Sequence, residues 1–521
     1  MARLYPDEVG YRNLDESTSL TFAAWEADSN RLARGLIRSG VARGERVSIY
    51  LPGEEVLAWV VAYAAVHKAG AVAVPTNTRM SVGELASILG HAEATVVITS
   101  PELLGTLAAA GAGLASIRLA VVTDSRTGRS PKQVLGPGPG VGPDPFVRGV
   151  RPDLGHARVT TWDEILDQDE AEVQVPISED AVADIMYTSG TTGSPKAVVV
   201  RHANASVLPN NEPAWGHSGW LHASPLFSFA GIAFVYTPMK LGLSGLFLAR
   251  FDPGRWLEVV AAERPWAAFI VPAMAQLIIA HPDFETADLS SLALCSLGSA
   301  PVAAATLRRL QDKMPGATVS NGYGMTEAGP AYCTMPKEES TRRIGSVGQP
   351  MAPMEVRIVD AGGSEVGVGE VGEVTIHLPG RQREYYRDDE ATAHTWVDGW
   401  LHSGDLGRLD EDGYLYIVGR MKDVIIRGGN NIYATEVEAA LLAHPGVLEA
   451  AVIGVPHPVL GEDVAAFVVA RDSSTALLPD DLREHCAERL ADYKVPRQIT
   501  LIDELPHNAT GKILKRQLVV P

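Results

Sequence analysis

RVSIYLPGEEVLAWVVAYAAVHKAGAVAVPTNTRMSVGELASILGHAEATVVITS, residues 46–100, is the stretch whose patterning decides the fold. RVSIYLP, AVAVP and TVVIT are short apolar runs rich in β-branched residues, and they read as strands. Between them lie a long apolar run and the segment 82–91, both read as helices. Strands that alternate with helices imply βαβ units and a largely parallel sheet covered on both faces. Upstream, Phe22, Trp25, Leu32 and Leu36 recur at helical spacing within residues 21–39 and stop at Gly40. Downstream the alternation returns: PWAAFIVP (265–272), a helix, LALCSLG (292–298), a helix, then ATVSNGYG (317–324).

After Gly345 the pattern changes to short strands such as EVRIVD (355–360) and EVTIHLP (373–379), which predict a β-rich subdomain. From Asp423 a compact α/β unit is expected. VEAALLAHPGV (437–447) reads as a helix, AAVIGVP and AAFVVA as strands, and residues 480–491 as another helix. The expected class is α/β: a large N-terminal domain with parallel-type α/β sheets plus a β-rich subdomain, and a small mobile C-terminal α+β domain. The boundaries read as 1–420, a hinge at 421–422, and 423–521. GPGPGVGPDP (136–145) is a surface loop by composition.

At 521 residues the chain exceeds one ordinary core. Its net charge of -19 argues against a general nucleic-acid surface. The three cysteines, Cys295, Cys333 and Cys486, are far apart and suggest neither disulfides nor zinc, which fits a reducing cytoplasm. The N-terminus has no signal-peptide pattern, and the longest apolar runs, 56–66 and 266–280, fall short of the roughly 20 residues needed to cross a bilayer. No membrane partner is expected.

The chemistry concentrates in YTSGTTGSPK, residues 187–196. Thr188, Ser189, Thr191, Thr192 and Ser194 supply hydroxyls, Gly190 and Gly193 allow close backbone approach to an anion, and Lys196 adds positive charge. This suits a polyphosphate, but Pro195 before the lysine departs from the P-loop pattern. The segment resembles the phosphate-binding signature of the adenylate-forming superfamily, which includes acyl-CoA synthetases, peptide-synthetase adenylation domains and beetle luciferases.

The resemblance continues through five further motifs, so that six stand in the family's order over about 330 residues. By resemblance, SLGSAP (296–301), with Gly298, Ser299, Ala300 and Pro301, lies along adenine. In NGYGMTEAG (321–329), Asn321, Gly322, Tyr323, Gly324, Met325 and Thr326 border ATP or AMP, Tyr323 stacks on adenine, Thr326 contacts phosphate and Glu327 holds Mg²⁺. A hard carboxylate beside a triphosphate is a sensible Mg²⁺ ligand. In WLHSGDLG (400–407), Asp405 grips the ribose hydroxyls, helped by Arg420. In MKDVIIRGGNNIYATEVE (421–438), Lys422 is the hinge, Gly428 and Gly429 border the pantetheine tunnel, and Arg427 meets the phosphate of CoA or is a plain surface charge. In PHNATGKILKR (506–516), Lys512 is the catalytic lysine. The catalytic set implied is Lys512, Thr188, Glu327 and Lys196, with ATP, Mg²⁺ and coenzyme A as co-reactants.

PLFSFAGI (225–232) departs from the family, which often has a histidine where Ser228 stands. Phe227, Ser228, Phe229, Met274 and Gly298 are assigned to the acyl pocket. The small Ser228, with Ala230, Gly231, Ala275 and Gly298, predicts an enlarged cavity and a bulky apolar acid. LPGRQREYYRD (378–388) also departs, placing charges where the family has a small-residue turn, and Ala434 replaces a frequent proline.

The resemblance implies an AMP-forming acyl-CoA ligase that joins a small-molecule carboxylic acid to CoA through an acyl-adenylate. Three other readings stand beside it. One delivers the acyl group to a carrier protein; the lack of a carrier segment after residue 521 disfavours a built-in acceptor but not a separate one. One performs mainly the thioesterification half. One is a silent binder of nucleotide or CoA, which retention of Lys196, Glu327, Asp405 and Lys512 disfavours. A homodimer and a partner enzyme of the same pathway are left open.

Overall fold

The computed structural model describes residues 1–123, 157–188, 196–204, 212–330, 333–378, 382–471 and 477–520. The loop 136–145 lies outside them. Two compact units result: Met1–Arg250 with Arg383–Asp389, and Phe251–Gln382 with Glu390–Pro521.

The first unit carries an eight-stranded sheet. Val72–Pro75, Arg46–Tyr50, Val96–Thr99, Leu119–Val122 and Arg158–Thr161 run parallel beside Val182–Thr188, and the antiparallel strands Lys196–Arg201 and Glu384–Tyr385 complete one edge. Helix Val56–Lys68 is buried from Val56 to Val66. It is apolar all round because other elements cover every side, as expected of a core helix. Trp25, Leu32, Leu36, Trp59 and Tyr63 join it in the main core, and Trp25 Nε1 donates to Val60 O at 3.0 Å. The helix expected over 21–39 forms as Phe22–Arg38, with the Thr21 hydroxyl capping Ala24 N. The segment 82–91 forms helix Val82–His91, started by a capping box of Ser81 and Glu84.

Two buried polar clusters of this unit are paired. The Asp184 carboxylate accepts from Tyr63 OH at 3.1 Å and meets His67 Nε2 at 3.1 Å. Tyr11 OH meets His222 Nε2 at 2.7 Å, and burial pushes the His222 imidazole down to about 3.

In the second unit the strands Ala267–Ile270, Leu294–Leu297 and Thr318–Asn321 run parallel. The apolar run 266–280 therefore divides into a strand and helix Pro272–Ala280, with Pro272 at the helix start where its missing N–H costs nothing. A second sheet orders Cys333–Thr334, Ser346–Pro350, Leu415–Arg420, Trp400–Leu409, Gly372–His377 and Glu355–Val359, the β-rich part expected from the sequence. A third contains Asn430–Tyr433, Val424–Arg427, Gly461–Ala470, Val447–His457 and Gln498–Leu501.

Two C-terminal expectations are corrected. The helix read over 437–447 is Ala434–Leu442, because His444, Pro445 and Gly446 form a turn and Val447 opens a strand. The helix read over 480–491 is Pro479–Ala487. Among the described residues, no helix is long and apolar enough to cross a membrane.

Candidate active site

Leu297 and Asn321 are register partners at the ends of their parallel strands, and the predicted adenine-side segments follow both. Gly322 N donates to Leu297 O, drawing the two strand ends together. A Cβ at Gly298 would lie 3.2 Å from both Gly322 O and the Phe269 ring, so the missing side chain here serves close packing of the strand ends. Ser299 sits at φ 73°, a left-handed conformation uncommon for a residue other than glycine. Thr326, Glu327 and Ala328 form the turn between the short paired strands Gly324–Met325 and Gly329–Pro330.

Asp405 is central to this unit. It is a direct cross-strand partner of Arg420, and its carboxylate is buried. Arg420 Nε lies 3.0 Å from Asp405 Oδ1, and Tyr323 OH donates to Oδ2 at 2.8 Å. Burial raises the Asp405 pKa, while Arg420, Tyr323 and Lys512 pull it down. Two carboxylate oxygens offer about four acceptor positions, so capacity for further donors such as hydroxyls remains.

Lys512 enters the same neighbourhood. Burial lowers its pKa, with Arg420 and Lys422 acting the same way, while Asp405 and Glu327 favour the ammonium. The loop that carries it is rigidly built. Asn508 Oδ1 accepts from Thr510 N at 2.9 Å, Thr510 Oγ1 at 2.8 Å and Lys512 N at 2.9 Å. A Cβ at Gly511 would meet Val271 Cγ2 at 3.4 Å, so the loop rests against the start of helix Pro272–Ala280. His507 Nε2 lies 3.2 Å from Glu449 Oε1, and Lys515 Nζ lies 2.7 Å from Glu438 Oε1. The sequence reading named Lys512 and did not name Asn508; an Asx pattern two residues before Thr510 was the available signal.

Among the described residues, no group of three His, Cys, Asp or Glu side chains could hold a metal. A cation at Glu327 would therefore take its other oxygens from polyphosphate and water. Mg²⁺ fits that description, because it commonly binds through one or two carboxylates plus substrate phosphates.

The charges acting on Lys512 include Arg420 and Lys422 on one side and Asp405 and Glu327 on the other. Lys422 itself lies in a short turn, Met421–Asp423.

In the first unit, Thr188 and Lys196 are the closing register pair of the hairpin that flanks the hydroxyl-rich segment. Ser189, Gly190, Thr191, Thr192 and Gly193 lie outside the described residues. The Lys196 ammonium lies 4.5 Å from the ring centroid of Tyr385, a contact the sequence reading did not anticipate.

Ser228 caps helix Phe229–Lys240. Its Oγ accepts from Gly231 N at 3.1 Å and donates to Pro225 O at 2.7 Å. A Cβ at Gly231 would fall 2.1 Å from Pro225 O, so that glycine is small because the backbone is there; its size reports packing and not pocket volume. Ala275 is fully buried in the second unit. Phe227, Phe229 and Met274 are each partly buried, and the Arg383 guanidinium lies 5.3 Å from the Phe229 ring centroid.

Gly428 and Gly429 form the two-residue turn between Val424–Arg427 and Asn430–Tyr433, at φ 58° and 85°. Two successive positive φ values are what a type I′ hairpin turn requires, so the turn alone selects glycine here. A Cβ at Gly429 meets nothing within 4 Å. Arg427 Nε lies 2.8 Å from Asp463 Oδ1, and Nη1 donates to Tyr493 O at 2.7 Å. Its guanidinium is thus largely engaged within the C-terminal sheet.

Residues 1–386 match the family model described as AMP-binding enzyme, and residues 436–512 match the one described as AMP-binding enzyme C-terminal domain. The chain is 37% identical over 523 residues to a feruloyl-CoA synthase of Amycolatopsis sp, covering 99% of this chain and 96% of that protein. It is 34% identical over 520 residues to a methyl-dioxo-octahydro-indenyl propanoyl:CoA ligase of Rhodococcus jostii, covering 97% and 94%. The fold is similar to that of the anthranilate CoA ligase AuaEII in complex with anthranoyl-AMP. The TM-score is 0.82 and the identity 25%, with 99% of this chain and 94% of that chain covered.

Proposed function

The chain belongs to the AMP-binding enzyme family, and we propose that within it the protein is an acyl-CoA ligase whose acid is bulky and ring-bearing. The protein is an acid–thiol ligase, an acyl-CoA synthetase of the adenylate-forming type. It joins a carboxylic acid to CoA and converts ATP to AMP and pyrophosphate. The observation that carries the mechanism is the convergence of Lys512, Asp405, Arg420 and Glu327 in one unit.

A carboxylate is a poor electrophile, and attack on the α-phosphate gives it a good leaving group. The Lys512 ammonium stabilises the charge of that step, in surroundings dry enough to lower its pKa. Asp405 accepts the ribose hydroxyls, with Arg420 and Tyr323 holding its oxygens in place. Tyr323 presents its ring to adenine. Lys196 and the hydroxyl-rich segment neutralise the phosphates. Glu327 would hold Mg²⁺, which would supply further charge neutralisation. The thiol of CoA then attacks the acyl carbonyl and AMP leaves.

The division into residues 1–420 and 423–521, turning at Lys422, accounts for the second step. Rotation about that point withdraws Lys512 and brings the Gly428–Gly429 turn to the adenylate. The site residues, hinge and Mg²⁺ role rest on the family motifs, and the pairing of Asp405 with Arg420 and Tyr323 supports the ribose site.

For the acid, the support is the chemistry of relatives, which are named for feruloyl, indenyl propanoyl and anthranilate substrates. Gly231 does not enlarge the cavity, because a side chain there would meet the Pro225 carbonyl. The test is mass spectrometry of thioester formation over a panel containing acetate, octanoate, benzoate, ferulate and a fused-ring propanoate. Ring-bearing acids should give the highest kcat/KM; preference for acetate would overturn the proposal for the acid.

A further inference from the structure

The segment 378–388, whose charges depart from the family pattern, returns to the first unit as the edge strand Glu384–Tyr385 beside Lys196–Arg201. Tyr385 is the register partner of Val198, and Glu384 that of Val199. Side chains alternate across a sheet, so Lys196 and Val198 share the face of Tyr385, while Val199 and Arg201 share the face of Glu384. Diagonal neighbours on one face are within reach of aromatic and long side chains. Both diagonals are used. Lys196 Nζ lies 4.5 Å from the Tyr385 ring centroid, and Arg201 Nη2 lies 2.6 Å from Glu384 Oε1. The backbone continues the attachment, with Tyr386 N donating to Ala197 O at 2.7 Å. Arg383 Nη2 donates to Asn204 O at 3.0 Å just beyond. Tyr385 is 6% exposed, so its ring is a fixed platform.

We propose that Tyr385 is a positioning residue for Lys196, holding the ammonium on its ring face so that the charge is already placed for the phosphates of ATP. This rests on the reading of Lys196 as a phosphate-contacting residue. The physical reason is entropic. Lysine has a flexible four-carbon stem and loses rotamer freedom when its head is fixed on a ligand. A ring that restrains the head beforehand reduces that loss. An ammonium has three donors, and a ring face occupies only one side of it, which leaves donors for phosphate oxygens. The Arg201–Glu384 pair on the opposite face holds the platform against the strand.

The test is calorimetric binding of MgATP and of AMP to the full chain, with no acid present. In the variants Tyr385 is replaced by Phe, by Met, or by pentafluorophenylalanine, which keeps the ring shape and removes its negative face. Tyr385→Phe should stay within about twofold of wild type, while the fluorinated ring and Tyr385→Met weaken MgATP about five- to tenfold. AMP lacks the β- and γ-phosphates, so its affinity should change little in any of them. Tighter MgATP binding, equal binding by Phe and the fluorinated ring, or equal weakening for MgATP and AMP would overturn the proposal. Lys196→Met separates the two layers of the argument. If it leaves MgATP affinity unchanged, the reading of Lys196 fails and the proposal with it. If it weakens MgATP while the fluorinated ring does not, the proposal alone fails.

Discussion

Lys512→Met should abolish most of the adenylation half-reaction and spare the thioester half. Methionine keeps an unbranched stem and removes the charge. The loop should survive, because Asn508 Oδ1 is held by the backbone N–H of Lys512 and by Thr510, none of which the substitution touches. Arg420 and Lys422 oppose the Lys512 ammonium, while Asp405 and Glu327 favour it. Burial is the first cause lowering the Lys512 pKa, so the lost charge stood where water screens it poorly. Removal of one preorganised charge-stabilising donor typically costs 10²–10³ in rate, about 3–4 kcal/mol, and that is the loss expected in adenylation. Pyrophosphate release with the best acid of the panel measures the first half. Acyl-CoA formation from the synthetic adenylate of that acid measures the second, which should fall less than about threefold on the same scale. Equal loss in both assays, or less than tenfold loss in the first, would refute the role assigned to Lys512.

Gly429 tests the pantetheine path with turn strain controlled. Gly429→Asn, which tolerates positive φ, and Gly429→Leu should both retain pyrophosphate release, but only the leucine should lose most CoA turnover; equal CoA turnover in the two would remove the tunnel assignment. Ser228→Ala removes a helix cap and should destabilise the protein by about 1 kcal/mol in denaturant melts, whereas Ser228→Asp should retain most of that stability. His507 tests pH dependence. Its pKa is raised first by the hydrogen bond to Glu449, with the charges of Glu449 and Glu504 and the carbonyl of Leu505 acting the same way against burial. A raised histidine pKa stabilises fully below the unfolded value of about 6.5 and is lost as pH rises through the folded value. Hydrogen exchange in residues 506–514 should therefore speed up from pH 6 to 8.5 beyond the intrinsic trend, and His507→Gln should abolish that excess.

Local sequence determined the elements wherever one period dominated. The strands Arg46–Tyr50, Val72–Pro75 and Val96–Thr99 and the helix Val82–His91 were legible because apolar spacing and caps agree there. The family motifs likewise named Lys512, Asp405, Arg420 and Glu327, since the residue types and their order are a property of the chain. Periodicity misled at residues 437–447, where apolar residues run past a Pro-Gly turn into a strand. What size means at Gly231, Gly298 or Ser228 was decided only by the tertiary structure. A small residue marks a cavity, a backbone contact or a cap, and only the surrounding atoms distinguish them. The pairing of Lys196 with Tyr385 was equally invisible, because these residues lie 189 positions apart (385 − 196) and meet through strand register. Register depends on which edge a returning segment finds, and no local pattern encodes that.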